Sequence, residues 1–76
     1  MSNEDLAMQN AYHFIKSQHG HGPVGLRAIA AYVVPRLPAD VDNEEKARLI
    51  MVVLNELVNG SRIRRVNQTE YAYHAP

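Results

Sequence analysis

Arginine residues concentrate towards the end of the chain, where their side chains could bind phosphate groups. Half of the eight basic residues lie between positions 48 and 65, namely Arg48, Arg62, Arg64 and Arg65. A guanidinium group binds phosphates and guanine edges, and the amide of Asn55 in the same stretch could bind adenine. The other use of such arginines is to cover the edge of a β-sheet, which prevents it from pairing with other chains. Both uses remain open.

The four histidines are the residues that could bind a metal ion. His19 and His21 flank a glycine in a turn, and His13 precedes them on a helical segment. A catalytic zinc site needs three protein ligands at good geometry, and the chain has no cysteine and no His-Glu-x-x-His pattern. We therefore expect no metal site and expect the histidines of the turn to be exposed to solvent.

No residue pattern in the sequence is typical of an enzyme. The chain has neither a Gly-rich phosphate loop nor a Gly-x-Ser-x-Gly nucleophile elbow. Its carboxylates gather at helix starts, where capping explains them. Four tyrosines could stack on nucleic-acid bases, although packing is the favoured use of Tyr12, Tyr32, Tyr71 and Tyr73. We expect a protein that acts by binding, without catalysis and without a cofactor.

Length and charge limit the classes of partner. The chain has 76 residues, of which 46% are hydrophobic, and its eight basic and eight acidic residues give a formal net charge of zero. Nucleic-acid-binding proteins usually have a basic balance, so any basic surface here must be local. A chain of this length predicts one domain, residues 1–76, with a thin core and no disulfides to brace it.

Neither a secretion signal nor a membrane span is predicted. The first five residues are acidic and polar, which is the opposite of a secretory signal. The longest apolar runs, at 28–34 and 50–54, are far shorter than the roughly 20 residues that cross a bilayer. We expect a cytoplasmic protein with no role at a membrane.

The spacing of apolar residues predicts three helices. The first runs from residue 3 to about residue 19 and can be capped by Ser2. The second is short and ends near Val34, because Pro35 disfavours a helical conformation in the residue before it. The third begins after Asp42 or Asn43 and ends at the stop signal Asn59-Gly60.

After Gly60 the apolar period changes from helical to about two, which predicts a β-hairpin. Its strands are residues 62–66 and 71–74, and the polar residues 67–70 form the turn. The helices and the hairpin together predict a hydrophobic core drawn from Met8, Ala11, Ile15, Leu26, Ile29, Val33, Ile50, Leu54, Leu57, Ile63 and Tyr73.

This order of elements resembles the winged-helix branch of the helix-turn-helix domains. The likeness is most specific in residues 53–66, where a Leu-x-x-Leu pair, a glycine and an Ile-Arg-Arg strand follow one another. Residues 22–30 look like the family's extended approach to its second helix, whereas the connection at 35–43 is longer than the tight turn of the simplest units. The resemblance implies an α+β, mainly helical fold with three helices and a C-terminal two-stranded wing.

The resemblance also implies a transcription-associated regulator that binds duplex DNA. In winged-helix proteins the third helix usually enters the major groove, and the wing contacts a neighbouring groove or the backbone. Asp42, Glu44 and Glu45 at the start of this helix would repel phosphates, unless they only complement the helix dipole. The residues that would bind DNA are Lys46, Arg48, Asn55, Arg62, Arg64 and Arg65.

Apolar residues outside the predicted core face of the third helix favour a different partner. That core face takes Ala47, Ile50, Met51, Leu54, Leu57 and Val58, which leaves Leu49, Val52 and Val53. A second apolar stripe usually indicates a partner protein or a homodimer, unless the wing covers it. The alternative is therefore a protein-binding regulator on the same scaffold, for example a small phage-type modulator that docks on RNA polymerase through these three residues.

Overall fold

The computed structural model describes residues 2–75, and its elements follow the predicted order. The three α-helices of this part are α1 (Asn3–Ser17), α2 (Leu26–Val33) and α3 (Asn43–Asn59), with a 3-10 turn at Val34–Arg36. Its three strands are β1 (Val24–Gly25), β2 (Ile63–Asn67) and β3 (Glu70–Tyr73). The fold is α+β and mainly helical, with the hairpin β2–β3 at its C-terminal end.

Side-chain caps begin the two long helices. Ser2 Oγ accepts a 3.0 Å hydrogen bond from the backbone N–H of Asp5, and Asp42 Oδ1 accepts one of 2.8 Å from Glu45. Such caps satisfy backbone donors that have no partner within the helix, and each stabilises a helix by about 1 kcal/mol. The caps at Ser2 and Asp42 confirm the predicted starts of α1 and α3.

The connection between α2 and α3 is fixed to the core rather than extended into solvent. Pro35 lies in the 3-10 turn that follows α2, and its ring prevents the α-helix from continuing. Leu37, directly after that turn, is buried, and the N–H of Val41 donates to the carbonyl of Pro38 in the next turn. The longer connection thus contributes an apolar side chain to the core.

Strand β1 adds a third strand to the predicted hairpin. The sheet is antiparallel with the order β1-β3-β2, and Val24 lies opposite Tyr71. The N–H of Leu26 donates a 2.7 Å hydrogen bond to the carbonyl of Thr69 in the hairpin turn. The sheet is therefore three-stranded rather than two-stranded, because the extended stretch before α2 pairs with the free edge of β3.

The core lies between α1, α3 and the inner face of the sheet. Helices α1 and α3 make the most extensive helix contact, and the small, fully buried Ala7 and Ala11 on α1 allow close approach. Ala11, Ile15, Ile29, Val33, Ile50, Leu54, Leu57 and Ile63 were all predicted in the core. The buried residues are Ala7, Ala11, Ile15, Val24, Ile29, Val33, Leu37, Leu49, Ile50, Val53, Leu54, Leu57, Ile63 and Tyr71.

The predicted partner surface on α3 is wrong for two of its three residues. Leu49 and Val53 are 4% and 0% exposed, and Val52 between them is half-buried. Two residues predicted in the core, Ala47 and Met51, are exposed instead. The reason is that α1, α2 and β2 all pack against α3, which turns its buried face away from the predicted direction.

Three further core predictions need correction. Tyr73 is half-buried at the end of β3, and Tyr71, two residues earlier on the same face of the strand, occupies the core. Met8 and Leu26 are half-buried and pack against the core from outside. In residues 2–75 no helix combines the length and the apolarity needed to cross a membrane.

Candidate nucleic-acid interface

Strand geometry separates the predicted DNA-binding arginines. Successive side chains of a strand point to opposite faces, so Arg64 and Arg65 on β2 lie on different sides of the sheet. Ile63, two residues before Arg65, is buried against the helices, which places Arg65 on the helix side and Arg64 on the outer side. Arg62 precedes the strand, and its N–H donates to the carbonyl of Leu57. The arginines therefore do not form one patch.

Arg65 lies against the outer face of α3. Its Nη2 donates a 3.1 Å hydrogen bond to Oδ1 of Asn55, and both side chains are exposed. The guanidinium carbon is also 5.4 Å from the ring centre of Tyr71, within the range of a cation–π contact. The structure thus brings together two of the predicted DNA-binding residues, one from the helix and one from the wing.

Arg48 is paired with a carboxylate at the acidic start of α3. Its Nε and Nη2 donate hydrogen bonds of 2.6 and 2.7 Å to the two carboxylate oxygens of Glu45. This bidentate pair lowers the pKa of Glu45 and raises the pKa of Arg48, in both cases mainly through the hydrogen bonds. Lys46 next to it is half-buried. The first turns of α3 therefore do not present a basic surface.

The acidic start of α3 is distant from the Asn55–Arg65 pair. An α-helix rises about 1.5 Å per residue, so Glu44 and Asn55 are roughly 16 Å apart along the axis. At physiological salt, exposed charges are largely screened beyond about 8 Å. The carboxylates that argued against DNA binding therefore act on Arg48 and Lys46 but hardly on the pair at the wing.

Arg62 belongs to a second group of side chains, at the end of α1. Its guanidinium carbon lies 4.1 Å from the ring centre of Tyr12, and the rings of Tyr12 and Tyr73 are 6.0 Å apart. Lys16 Nζ is 5.8 Å from the ring centre of Tyr73, and the His19 ring is 5.2 Å from it. We refer to these five residues as the basic–aromatic cluster.

The cluster was missed because its members come from distant parts of the chain. Tyr12 was predicted to pack in the core and Arg62 to bind DNA. Both instead belong to the basic–aromatic cluster, in which Tyr12 is half-buried and Arg62 is exposed. The spacing of Tyr12, Lys16 and His19 was the available signal, because positions i, i+4 and i+7 share one helix face.

The electrostatics of the cluster are shaped by its cations. The pKa of Tyr12 is lowered, first by a hydrogen bond with Tyr73 and further by Arg62 and Lys16. The pKa of Tyr73 is raised, mainly because its hydroxyl is hydrogen-bonded to Tyr12. Arg62 and Lys16 thus act in the same direction as Tyr73 and favour negative charge at the Tyr12 hydroxyl.

A cavity of about 280 Å³ adjoins the cluster. It lies between the turn that follows α1 and the sheet, and Arg64, Ala72 and Tyr73 line its sheet side. Gly20 and Gly22 line the other side with φ angles of +99° and +91°, a backbone conformation that favours glycine. His19 and His21 of this turn are exposed, as predicted.

An apolar groove of about 210 Å³ separates α2 from α3. Its lining consists of apolar side chains from both helices, and Met51 at its rim is 38% exposed. This groove, rather than the stripe of Leu49, Val52 and Val53, is the exposed apolar feature of α3. The groove is lined by Leu26, Ala30, Ala47, Ile50 and Met51.

The six predicted DNA-binding residues therefore fall into three groups. Asn55 and Arg65 meet at the wing, Lys46 and Arg48 lie at the acidic end of α3, and Arg62 and Arg64 lie at the cluster and the cavity.

No group of three or more His, Asp or Glu side chains in residues 2–75 could hold a metal ion. Comparisons with protein-family models, with curated proteins and with solved structures find no match.

Proposed function

We propose that the protein is a small, non-enzymatic, transcription-associated regulator that binds duplex DNA through the outer face of α3 and the wing. The observation that carries this proposal is the hydrogen bond between Arg65 and Asn55. It places a guanidinium group, which binds guanine edges and phosphates, beside an amide that binds adenine edges. The resemblance to winged-helix domains supports the same surface, and a cytoplasmic location belongs to this proposal.

Fewer residues are proposed to contact DNA than the six predicted from the sequence. Asn55 and Arg65 contact base edges or phosphates, whereas Lys46 and Arg48 are excluded by the carboxylates around them. A contact with few cations gives weak binding with a shallow dependence on salt, because each neutralised phosphate contributes about 0.9 to the slope of log K against log salt. We therefore expect weak binding that is measurable at low salt and that falls roughly eightfold for each tenfold rise in salt if one phosphate is neutralised.

The test is a titration of the isotope-labelled domain with random-sequence duplex DNA at low salt, followed by amide NMR shifts. We expect shifts in the second half of α3 and in residues 65–70 that fade as salt rises. The double variant Asn55→Ala/Arg65→Ala should lose them. The matched control is Arg36→Ala, which removes an exposed arginine at the end of the 3-10 turn. Equal losses in both variants, or no shifts in the native chain, would contradict the proposal.

A second candidate is a protein-binding regulator that docks on RNA polymerase, and the apolar groove between α2 and α3 favours it. A groove of about 210 Å³ accepts one or two apolar side chains of a partner segment. A stable homodimer buries about 800 Å² on each partner, which is more than this groove offers. The occupant is therefore an apolar segment of a larger protein rather than a second copy.

Purified RNA polymerase and the labelled domain separate the two candidates. If the groove binds polymerase, Met51→Glu should abolish binding, because a charge at the rim would have to lose its water. Ala28→Glu is the matched control, since Ala28 is exposed on α2 and does not line the groove. A complex that tolerates Met51→Glu would contradict this candidate, and dimerisation in sedimentation experiments would assign the groove to a second copy.

A further inference from the structure

The basic–aromatic cluster forms a surface open to solvent on the side of α1 that faces the sheet. Tyr12 and Lys16 share one face of α1, and His19 lies in the turn that follows the helix. Arg62 and Tyr73 reach these side chains from the open end of the hairpin, where Ile63 is paired with Tyr73. Each of the five side chains is exposed or half-buried. Tyr12 and Tyr73 pack against the core with part of each ring, whereas Lys16, His19 and Arg62 are exposed. The solvent-facing parts of these five side chains are therefore available for a ligand.

Carboxylates do not neutralise this surface. The ion pair found in residues 2–75 joins Arg48 to Glu45 at the start of α3, which leaves Lys16, Arg62 and Arg64 without a carboxylate partner in that part of the chain. The acidic end of α1, at Glu4, is roughly 18 Å from Lys16 along the helix axis. Beyond a screening length of about 8 Å, that negative charge contributes little. The cluster is therefore a local positive surface on a chain of zero net charge.

The cluster and the adjoining cavity are continuous through Tyr73. Tyr73 belongs to the cluster and also lines the cavity of about 280 Å³, as His19 does. Arg64 contributes a third cation from the outer face of the sheet. Cations and aromatic rings thus alternate across a concave surface, which is the pattern of sites that bind single strands.

We propose that this surface binds single-stranded nucleic acid. Lys16, Arg62 and Arg64 bind the phosphates, and an unpaired base stacks on Tyr73 beside the cavity. An unpaired strand fits better than a duplex, because only an unpaired base can place its face against an aromatic ring. The site goes beyond the proposed function, since it shares no residue with the Asn55–Arg65 pair.

The proposal is tested with a fluorescein-labelled oligothymidine of about ten nucleotides, a length within the usual range of single-strand sites. Fluorescence anisotropy at low salt gives the Kd of the native chain, of Lys16→Gln/Arg62→Gln and of Tyr73→Leu. Circular dichroism confirms that each variant remains folded. We expect the double variant to raise Kd at least about tenfold and to lower the salt slope by about 1.4, because each single-strand phosphate contact contributes about 0.7.

Removal of the stacking ring of Tyr73 should change Kd without changing its dependence on salt. Tyr73→Leu should raise Kd at least about fivefold while leaving the salt slope unchanged, since no charge is removed. The matched control is Arg36→Gln, because the Arg36 guanidinium carbon lies 3.6 Å from the ring centre of Tyr32 in the same kind of contact outside the cluster. The control should change Kd less than about twofold, as expected for one distant cation at a surface.

Several results would overturn the proposal. One is an unchanged Kd in the double variant, and another is a loss of affinity in Arg36→Gln equal to that in the double variant. A third is normal binding by Tyr73→Leu together with full displacement of the oligonucleotide by duplex DNA or inorganic phosphate. The variant Asn55→Ala/Arg65→Ala keeps the two proposals apart. It should lose duplex-induced shifts and retain single-strand binding, so either activity can fail without the other.

Discussion

Tyr71 lies directly opposite Val24 in the antiparallel sheet, and both side chains are buried. This pair fixes the inner face of the sheet against the helices, because Tyr71 is the largest fully buried side chain in residues 2–75. The hydroxyl oxygen of Tyr71 has no hydrogen-bond partner in that part of the chain. A buried polar atom without a partner costs about 1–3 kcal/mol. Burial of the Tyr71 ring thus stabilises the fold, whereas burial of its unpaired hydroxyl destabilises it.

We predict that Tyr71→Phe stabilises the protein. The variant keeps the buried ring and removes the unpaired hydroxyl, so the free energy of unfolding should rise by about 1 kcal/mol. For a domain of this size that corresponds to an increase in Tm of about 4–8 °C. Thermal unfolding followed by circular dichroism measures it, with Tyr32→Phe as a half-buried control that should change little. A lower Tm for Tyr71→Phe would mean that the hydroxyl has a partner in solution.

We predict that Val53→Asp unfolds the domain, whereas Val52→Asp leaves it folded with a lower Tm. Val53 is 0% exposed, and its neighbour Val52 is half-buried. An unpaired carboxylate in the core costs several kcal/mol, a large part of the roughly 5–15 kcal/mol that stabilises a small protein. The far-ultraviolet circular dichroism spectra of the two variants at 25 °C test this difference. A folded Val53→Asp chain would show that Val53 lies at the surface, as the sequence predicted.

The local elements of this fold could be predicted because their signals are local. The caps at Ser2 and Asp42, the stop at Gly60 and the polar hairpin turn are each encoded within a few residues. The orientation of α3 could not be predicted in this way. Its apolar residues cover more than one face, and only the combined packing of α1, α2 and β2 decides that Leu49 is buried and Met51 exposed.

The candidate site was predictable only in part, for a related reason. The residue types were identified, since Asn55 and Arg65 do meet at the wing. The opposite directions of Arg64 and Arg65 follow from the alternation of a strand and could have been inferred before the structure was known. The contact of Arg62 with Tyr12 could not have been inferred from the sequence, because it joins residues that are distant along the chain. It also depends on where α1 ends relative to the sheet.

We predict that Glu56→Gln stabilises the protein at neutral pH and has no effect in acid. Glu4 raises the pKa of Glu56, both by a hydrogen bond and by charge repulsion. A carboxyl group with a raised pKa in the folded state opposes folding when it is ionised. The penalty is present above the folded pKa of Glu56, shrinks as pH falls through it, and is absent below the ordinary value of 4.5.

Tm measurements of the native chain and Glu56→Gln from pH 7 to pH 4 test this dependence. The variant should have the higher Tm at pH 7, and the two values should converge in acid. Glu44→Gln is the control, because Glu44 lies in the first turn of α3, where its charge complements the helix dipole. That substitution should not raise Tm. A difference for Glu56→Gln that persists at pH 4 would exclude repulsion as its cause.

We predict that Gly22→Ser destabilises the turn beside the cavity, whereas Gly25→Ser does not. Gly22 has a φ of +91°, and a side chain in left-handed conformations costs roughly 1–2 kcal/mol. Gly25 has a φ of −74° and precedes α2 without a side-chain cap, so a serine there can cap the helix and stabilise it by a few tenths of a kcal/mol. A Cβ at either position meets no atom within 4 Å, so steric overlap does not contribute to the difference between the two variants. Urea unfolding measures both variants, and equal free energies would show that the turn relaxes without cost.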